Sequence, residues 1–444
     1  MELLAFHRST RTAGAKMVCE MKFLIATNWT RGDIEPCAAV GRELSNRGHD
    51  VCLVVPPDQV GFVEAVGLPA VACGAETQAV IEATCNFNRS FRTPWRIKNV
   101  IRSKREFEEL LVESWNGTAT TLASIAGGTD LMLTRGGYPS AVNVAEAYRI
   151  PLATLYTFPL RPNGQLFPIL PGPVVRSAMK AYEWLYWWGT LRKFDDAQRR
   201  HLALPRATKP APHRIAALEI QSYDEVCFPG LAQEWKGQRP LVGALTMDLP
   251  TDADGEVMSW IAAGTPPIFF GFGSSPVESP ADTLAMITEA CAQLGERALV
   301  CSPHADLVNA AISEHVKVVR AMNYTAALPA CRAVVHHGGT GTTAAGLRAG
   351  VPTLILWIAD TQPYMGAAVK RLKVGATRRF LSTTEKSLVA DLRTILAPQY
   401  LTRAREIATR MTKPAESVVV AADVLESYAI SRRVGSQAKG GAAE

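Results

Sequence analysis

Residues 332–352, RAVVHHGGTGTTAAGLRAGVP, contain the pattern that decides the fold class of this chain. A β-branched run ends in two histidines and closely spaced glycines, and an alanine-rich segment that should be helical from about Thr342 follows. Glycines at such a junction let backbone amides approach an anion, and the free N–H groups of a helix start favour negative charge. The stretch predicts an anion site at a strand end of an α/β sheet. The alternative is a plain turn whose glycines serve only packing.

The glycine spacing excludes two common phosphate sites. After Gly339 and Gly341 the third glycine of the G-x-G-x-x-G fingerprint is missing, and no Gly-Lys-Ser/Thr of a P-loop occurs. His337 lies beside these glycines, and an imidazole there can donate a hydrogen bond to a bound phosphate.

The N-terminal part shows the same alternation of strand and helix. KFLIAT (22–27) is predicted to be a buried strand, NWTRGDIEP (28–36) a loop, CAAVGRELSNRGH (37–49) a helix and DVCLVVP (50–56) the next strand. A second series begins at PIFFGFGS (267–274). The pattern predicts two tandem Rossmann-like, doubly wound α/β domains whose strand ends face one cleft.

Breaks in this periodicity divide the chain. We expect an N-terminal extension (1–20), a first domain (21–240), a linker (241–258), a second domain (259–412), a helix crossing back to the first domain (413–430) and a disordered tail (431–444).

The composition is that of a folded globular protein. Of 444 residues, 48% are hydrophobic and 20% charged, which excludes a disordered chain. The net charge of +6 is too small to indicate nucleic acid, and it suits anionic substrates or anionic membrane surfaces. Nine scattered cysteines without a C-x-x-C pair predict neither disulfides nor a zinc site. No apolar run approaches the roughly 20 residues of a membrane span. We expect a cytoplasmic protein, either free or peripheral on the cytoplasmic face of the membrane.

Both halves together resemble a known family. HHGGTGTTAAGLRAGVPTLILW (336–357), TQPYMGAAVKRLKVG (361–375) and the run from Met21 to Pro69 resemble GT-B glycosyltransferases of the UDP-glycosyltransferase superfamily, in its bacterial antibiotic and sterol branch. Within that branch, the chain is most similar to mycobacterial-type transferases that add rhamnose or other deoxyhexoses to glycolipids and glycopeptidolipids. The resemblance implies a dTDP- or UDP-sugar donor, a lipidic or hydrophobic acceptor, an inverting mechanism, and neither a cofactor nor a metal.

The resemblance also assigns roles to residues. Asp33 of GDIEP takes the place of the general base that removes the proton of the acceptor hydroxyl; alternatively it caps the following helix. The donor diphosphate would be held by His337, Gly339, Gly341 and Thr342, with Gly273 and Ser274 opposite.

Two further segments correspond to donor contacts. Met322 and Asn323 begin the stretch that cradles the nucleotide base in the family, and an ordinary helix start is the alternative. The family usually has Asp-Gln-Pro near the donor sugar, whereas this chain has Asp360, Thr361 and Gln362 before its proline, which puts Thr361 in the Asp position. Either Asp360 replaces that contact or Thr361 makes a neutral one, so the sugar preference stays open.

Two segments of the first domain suggest an acceptor surface. Residues 89–105 contain seven basic residues, and residues 181–189 contain five aromatic ones. We expect a lipid acceptor or an anionic leaflet to contact Trp95, Arg96, Trp184 and Trp187. The alternatives are a solvated basic loop and a core helix.

Two other functions remain open at this stage. The same fold serves sugar-nucleotide 2-epimerases, which need no acceptor. The Thr361 departure also allows a catalytically weak binding partner in an envelope-assembly complex.

Overall fold

The computed structural model describes residues 20–90, 97–167, 170–215, 217–273, 279–302, 314–358 and 361–440. Four residues expected at the site, Trp95, Arg96, Ser274 and Asp360, lie outside these ranges.

The first half of the chain forms a parallel sheet. Among the described residues it has six strands, in the order β3-β2-β1-β4-β5-β6. The strands are β1 (Lys22–Ala26), β2 (Asp50–Val55), β3 (Ala70–Ala72), β4 (Leu131–Arg135), β5 (Leu152–Tyr156) and β6 (Ala217–Gln221). This is the doubly wound order: β2 and β3 are added on one side of β1, and β4, β5 and β6 on the other, so the order of strands reverses between β1 and β4.

The second half forms another parallel sheet with the same internal order. Its six described strands are arranged β12-β11-β10-β7-β8-β9, so its reversal lies between β7 and β10. The strands are β7 (Ile268–Gly271), β8 (Ala298–Cys301), β9 (Val316–Val319), β10 (Ala333–His336), β11 (Thr353–Trp357) and β12 (Gly375–Arg379). The predicted α/β fold with two Rossmann-like sheets is confirmed.

Helices connect the strands of both sheets. In the first half they are α1 (Arg31–Asn46), α2 (Val60–Ala65), α3 (Thr77–Ser90), α4 (Ile97–Ile125), α5 (Pro139–Ala147), α6 (Gly172–Tyr186), α7 (Arg192–His201) and α8 (Leu231–Trp235), with a π-helical turn over Trp187–Leu191. In the second half they are α9 (Asp254–Ala262), α10 (Pro280–Leu294), α11 (Tyr324–Ala327), α12 (Thr340–Ala349), α13 (Gln362–Leu372), α14 (Glu385–Ile395), α15 (Pro398–Ala408) and α16 (Pro414–Gly440). None of these described helices is long and apolar enough to cross a bilayer.

The central strands are buried on both faces. Phe23, Leu24 and Ile25 of β1 are fully buried, although their side chains alternate between the two sides of the sheet. Helices cover both faces of a doubly wound sheet, so a continuous apolar run replaces the alternation of a half-exposed strand. Phe269 and Phe270 of β7 are buried in the same way.

The chain crosses twice from one half of the protein to the other. After β6 it runs through residues 241–253 to α9, which begins inside the range expected to be linker. At its end, α16 returns to the first half and packs against α1, where Arg47 pairs with Asp423 (2.7 Å) and Glu426 (2.8 Å). The segment expected to be disordered from residue 431 is helical as far as Gly440.

One arginine on α12 holds both crossings. Arg348 donates to Ala244 O (2.8 Å) on the first crossing and to Thr412 O (2.8 Å) on the second. Asp224 follows β6, and its carboxylate accepts from the backbone amides of the same two residues, at 3.1 Å from Ala244 and 2.7 Å from Thr412. The crossings are therefore fixed side by side.

Candidate active site

Asp33 lies in the first turn of α1, not in a loop. The helix begins at Arg31, so the prediction of a loop through residue 36 was wrong from that point. Thr30 is the N-cap residue, which excludes Asp33 from that role, and Thr30 Oγ1 donates to Asp33 Oδ2 at 3.1 Å. A carboxylate in a first turn is stabilised by the partial positive charge of the helix start.

Arg135 holds the other carboxylate oxygen of Asp33. Its Nη2 lies 2.7 Å from Asp33 Oδ1, and each side chain remains about one-fifth exposed, at 23% and 21%. The same Nη2 also donates to Thr157 Oγ1 at 3.1 Å. Sequence reasoning missed Arg135. An arginine at the C-terminal end of a strand, followed by Gly136 and Gly137, was the signal that could have found it.

The glycine turn after β10 is fixed by the first histidine of the pair. The amide of Gly338 donates to His336 Nδ1 at 3.0 Å, and His336 is fully buried. Gly338 has φ +98°, and a Cβ there would lie 2.9 Å from Ile355 Cγ2, so both conformation and space require glycine. Helix α12 starts at Thr340, two residues earlier than expected, with Gly339 as its N-cap residue.

His337 lies between the two glycine-containing loops. A Cβ on Gly339 would lie 2.7 Å from His337 Nε2, and one on Gly273 would lie 3.2 Å from His337 Cε1. Burial lowers the pKa of His337 to about 4, although a hydrogen bond with the backbone of Gly271 and, to a smaller extent, the negative charge of Asp33 oppose this. The imidazole is therefore neutral at pH 7 and keeps one N–H to donate.

The two points of strand reversal lie opposite each other. Asp33 follows β1 and Arg135 ends β4, whereas Gly273 and His337 follow β7 and β10. Thr340 Oγ1 donates to Thr157 O at 2.9 Å and joins the two sides directly. Open α/β sheets bind ligands at such reversals. The arrangement places a carboxylate that can accept a proton opposite amides that can stabilise an anion.

Two residues expected near the nucleotide base have structural roles. Asn323 is the N-cap of α11: its Oδ1 accepts from Thr325 N (2.9 Å), and its Nδ2 donates to Asp248 Oδ1 (2.7 Å). Met322 is buried in the core of the second half. The helix-start alternative therefore describes Asn323, and a contact of either residue with the base stays a prediction.

The residues expected at the donor sugar begin α13. Thr361 is the N-cap residue, and Gln362 is the first helical residue. Gln362 Oε1 accepts from the backbone amide of Ile358 at 2.7 Å, which fixes the side chain at the end of β11.

The aromatic segment divides into one buried and several exposed side chains. Trp187 is buried and donates from Nε1 to Asp195 Oδ2 at 3.1 Å, which corrects the expectation that it lines an acceptor surface. Trp184 is 48% exposed. The core-helix alternative therefore describes Trp187 but not Trp184, Tyr182, Leu185, Tyr186 or Trp188, all of which are exposed.

Relatives of known class share this sequence over almost its whole length. Uncharacterized glycosyltransferase Rv1524 of Mycobacterium tuberculosis is 57% identical over 416 residues, which cover 92% of this chain and 99% of the relative. The chain belongs to the GT-B glycosyltransferase superfamily. Residues 277–426 of this glycosyltransferase match the erythromycin biosynthesis protein CIII-like, C-terminal domain family. Sterol 3-beta-glucosyltransferase UGT80B1 of Arabidopsis thaliana is 26% identical, and the match covers 95% of this glycosyltransferase and 70% of the sterol enzyme.

Solved structures agree on the fold of the glycosyltransferase. The glycotransferase of kitacinnamycin has a TM-score of 0.68 at 16% identity, covering 92% of this chain and 99% of its own. VinC, solved in complex with dTDP, has a TM-score of 0.62 at 18% identity over 92% and 99% of the two chains. These structures show that the glycosyltransferase has the GT-B architecture.

Proposed function

We propose that this glycosyltransferase inverts the anomeric centre of a hexose or 6-deoxyhexose while moving it from dTDP or UDP to a hydroxyl of a lipidic acceptor, without a metal. Rhamnose is the first candidate sugar. The observation that carries the proposal is that Asp33 and the start of α12 flank one cleft: Arg135 contacts both Asp33 and Thr157, and Thr157 accepts from Thr340 at the start of that helix.

The proposed reaction uses each side of the cleft once. Asp33 takes the proton of the acceptor hydroxyl while that oxygen bonds to the anomeric carbon. The bond from this carbon to the diphosphate breaks, and its electron pair leaves on the phosphate oxygen. The amides of Gly339, Gly341 and Thr342 and the N–H of His337 stabilise that charge. Attack from the side opposite the leaving group inverts the configuration.

The sugar would be recognised next to α13. Thr361 offers a neutral hydroxyl where the family usually has a carboxylate, and replacing a charged partner changes sugar discrimination by about 1 to 3 kcal/mol. The resemblance to deoxyhexosyl transferases supports rhamnose, and Thr361 is the position at which to test it.

The exposed side of α6 and the turn after it supports a membrane-borne acceptor. Tyr182 is 70% exposed, Leu185 61% and Trp188 55%. Glu183 is the only acidic residue in 170–193, and Arg161 neutralises it at 2.6 Å. Aromatic side chains with a polar edge favour the interface of a bilayer, and the lack of free acids suits anionic lipids. In this proposal, α6 rests on the cytoplasmic leaflet, from which the acceptor lipid enters.

A transfer assay tests the reaction. The purified enzyme is incubated with dTDP-rhamnose, dTDP-glucose or UDP-glucose and with cholesterol or 2-naphthol in liposomes. We expect Asp33→Asn to lower transfer by about 100-fold or more, and to leave the dTDP affinity measured by calorimetry within about threefold. Transfer by Asp33→Asn at a rate close to that of wild type would contradict the role of Asp33. Nucleotide release that needs no acceptor would favour the 2-epimerase.

A sedimentation assay tests the membrane surface. We expect wild-type protein to bind liposomes that contain phosphatidylglycerol at low salt, and Trp184→Ser with Trp188→Ser to release it. Tyr148→Ser, which removes a similarly exposed aromatic residue on the connection after α5, is the matched control. Equal binding by all three proteins would exclude this surface.

A further inference from the structure

A chain of hydrogen bonds joins the proposed base to the donor helix. Asp33 Oδ1 lies 2.7 Å from Arg135 Nη2, which donates to Thr157 Oγ1 at 3.1 Å. The carbonyl of Thr157 accepts from Thr340 Oγ1 at 2.9 Å. Thr340 is the first residue of α12, the helix whose N-terminus faces the proposed diphosphate. The chain thus runs from the first domain into the second through three contacts.

The backbone around Arg135 is rigid. Gly136 has φ +56°, and its amide donates to Leu155 O at 2.8 Å. A Cβ on Gly137 would lie 2.5 Å from Pro212 Cγ, so this position accepts only glycine. An arginine on such a base has few alternative positions, and its planar guanidinium can contact a carboxylate and a hydroxyl at once.

We propose that Arg135 is a positioning residue that orients Asp33 and couples it to the donor helix through Thr157 and Thr340. The inference rests on the proposed function of Asp33. Arg135 holds Oδ1 and Thr30 holds Oδ2, yet each carboxylate oxygen has two lone pairs, so Asp33 keeps room for the acceptor proton. Arg135 gains and loses no proton in the step. It fixes the direction from which Asp33 meets the acceptor hydroxyl, and such orientation acts on the chemical step more than on substrate binding.

Kinetics with dTDP-rhamnose and 2-naphthol separate this role from a structural one. We expect Arg135→Gln to lower kcat by about 10- to 100-fold and to change the donor KM by less than about threefold. Arg135→Lys, which keeps the charge, should recover part of kcat. Thr340→Val should lower kcat, and Thr340→Ser, which keeps the hydroxyl, should restore it. Arg393→Gln, at an exposed arginine on α14, is the control and should match wild type.

The double variant tests the coupling itself. Because both changes break one chain, Arg135→Gln with Thr340→Val should be no slower than Arg135→Gln alone. Multiplied losses would overturn the coupling, and a loss confined to KM would overturn the positioning role. If wild type binds dTDP by calorimetry but transfers no sugar from any donor, the proposed function fails and the inference with it. If wild type transfers sugar and Arg135→Gln does so with the same kcat, only the inference fails.

Discussion

His336 and His337 are neighbours in the chain but have different tasks. His336 is fully buried at the end of β10 and accepts from the amide of Gly338, whereas His337 lies against Gly273 and Gly339. The resemblance to the family pointed to His337 and Asp33 before the structure. It could not point to Arg135, because Arg135 meets Asp33 only through the pairing of β1 with β4, which are distant in sequence. It also could not separate Trp184 from Trp187, because the two rings are neighbours, 6.4 Å apart between centroids, and only the fold brings Trp187 to the buried Asp195.

The two histidines should respond differently to substitution. We expect His337→Gln to weaken dTDP binding about 10-fold, or about 1.4 kcal/mol, because one phosphate hydrogen bond is lost. His336→Gln should mainly lower the melting temperature, because it disturbs the turn at Gly338. Calorimetry and thermal unfolding of both variants make the comparison. The reverse pattern would show that His336 faces the donor.

His337 should also make stability depend on pH. Its pKa is lowered to about 4 in the folded protein from an ordinary value of 6.5, so below pH 6.5 the unfolded chain binds a proton that the folded protein does not. The free energy of unfolding should therefore fall as pH falls from 6.5 towards 4, by about 2 kcal/mol from this residue at pH 5. Urea unfolding at pH 7.5 and pH 5 measures it. His337→Gln should lose that part of the dependence, and an unchanged dependence would assign it to other groups.

The helix that carries Asp33 shows where local patterns mislead. Gly32 and Pro36 both disfavour a helix, and they lie in the range 28–36 that was predicted to be a loop. In the structure α1 includes both, and Pro36 is buried within it. Packing of the buried side of α1 against the sheet outweighs the hydrogen bond that a proline removes. The strands were easier to predict, because β1 and β10 are buried on both faces and read as continuous apolar runs.

The turn between β10 and α12 should tolerate no side chain at Gly338. Gly338→Ala combines a positive φ with a Cβ 2.9 Å from Ile355 Cγ2. We expect the free energy of unfolding to fall by about 2 kcal/mol or more. We also expect weaker dTDP binding, because the amides of the glycine turn would shift. Urea unfolding and calorimetry provide the measurements. Gly255→Ala, where a Cβ meets nothing within 4 Å, is the control. Equal stability of the two variants would contradict the packing argument.

At the scale of the molecule, the two sheets have the same strand order, and the last helix, α16, packs against α1 of the first half. The repeated alternation of strand and helix predicted the two sheets. The path of the last helix depends on side chains far apart in sequence. Arg47, the C-cap residue of α1, reaches Asp423 and Glu426 of α16. Ala421 and Leu425 complete the core of the first half.

The attachment of α16 should depend on Arg47. We expect Arg47→Met to lower the free energy of unfolding by about 1 to 3 kcal/mol, because it leaves two partly buried carboxylates beside each other without their cation. Chemical unfolding measures the change. Arg403→Met, which breaks a more exposed pair with Glu406, should change stability by less than about 1 kcal/mol. Similar losses from the two variants would mean that the α16 contact is no stronger than a surface pair.

The paired crossings also limit how the halves can move. Two bodies joined by a single connection can rotate about several axes, but two bodies joined by two connections can rotate only about the line through both. Arg348 and Asp224 bind the two crossing segments beside each other, so the two connections share one axis. Rotation about that axis is the one rigid-body movement that breaks neither crossing. We therefore expect the cleft to open and close by that rotation, which would return Asp33 to the same position opposite the glycine turn after β10.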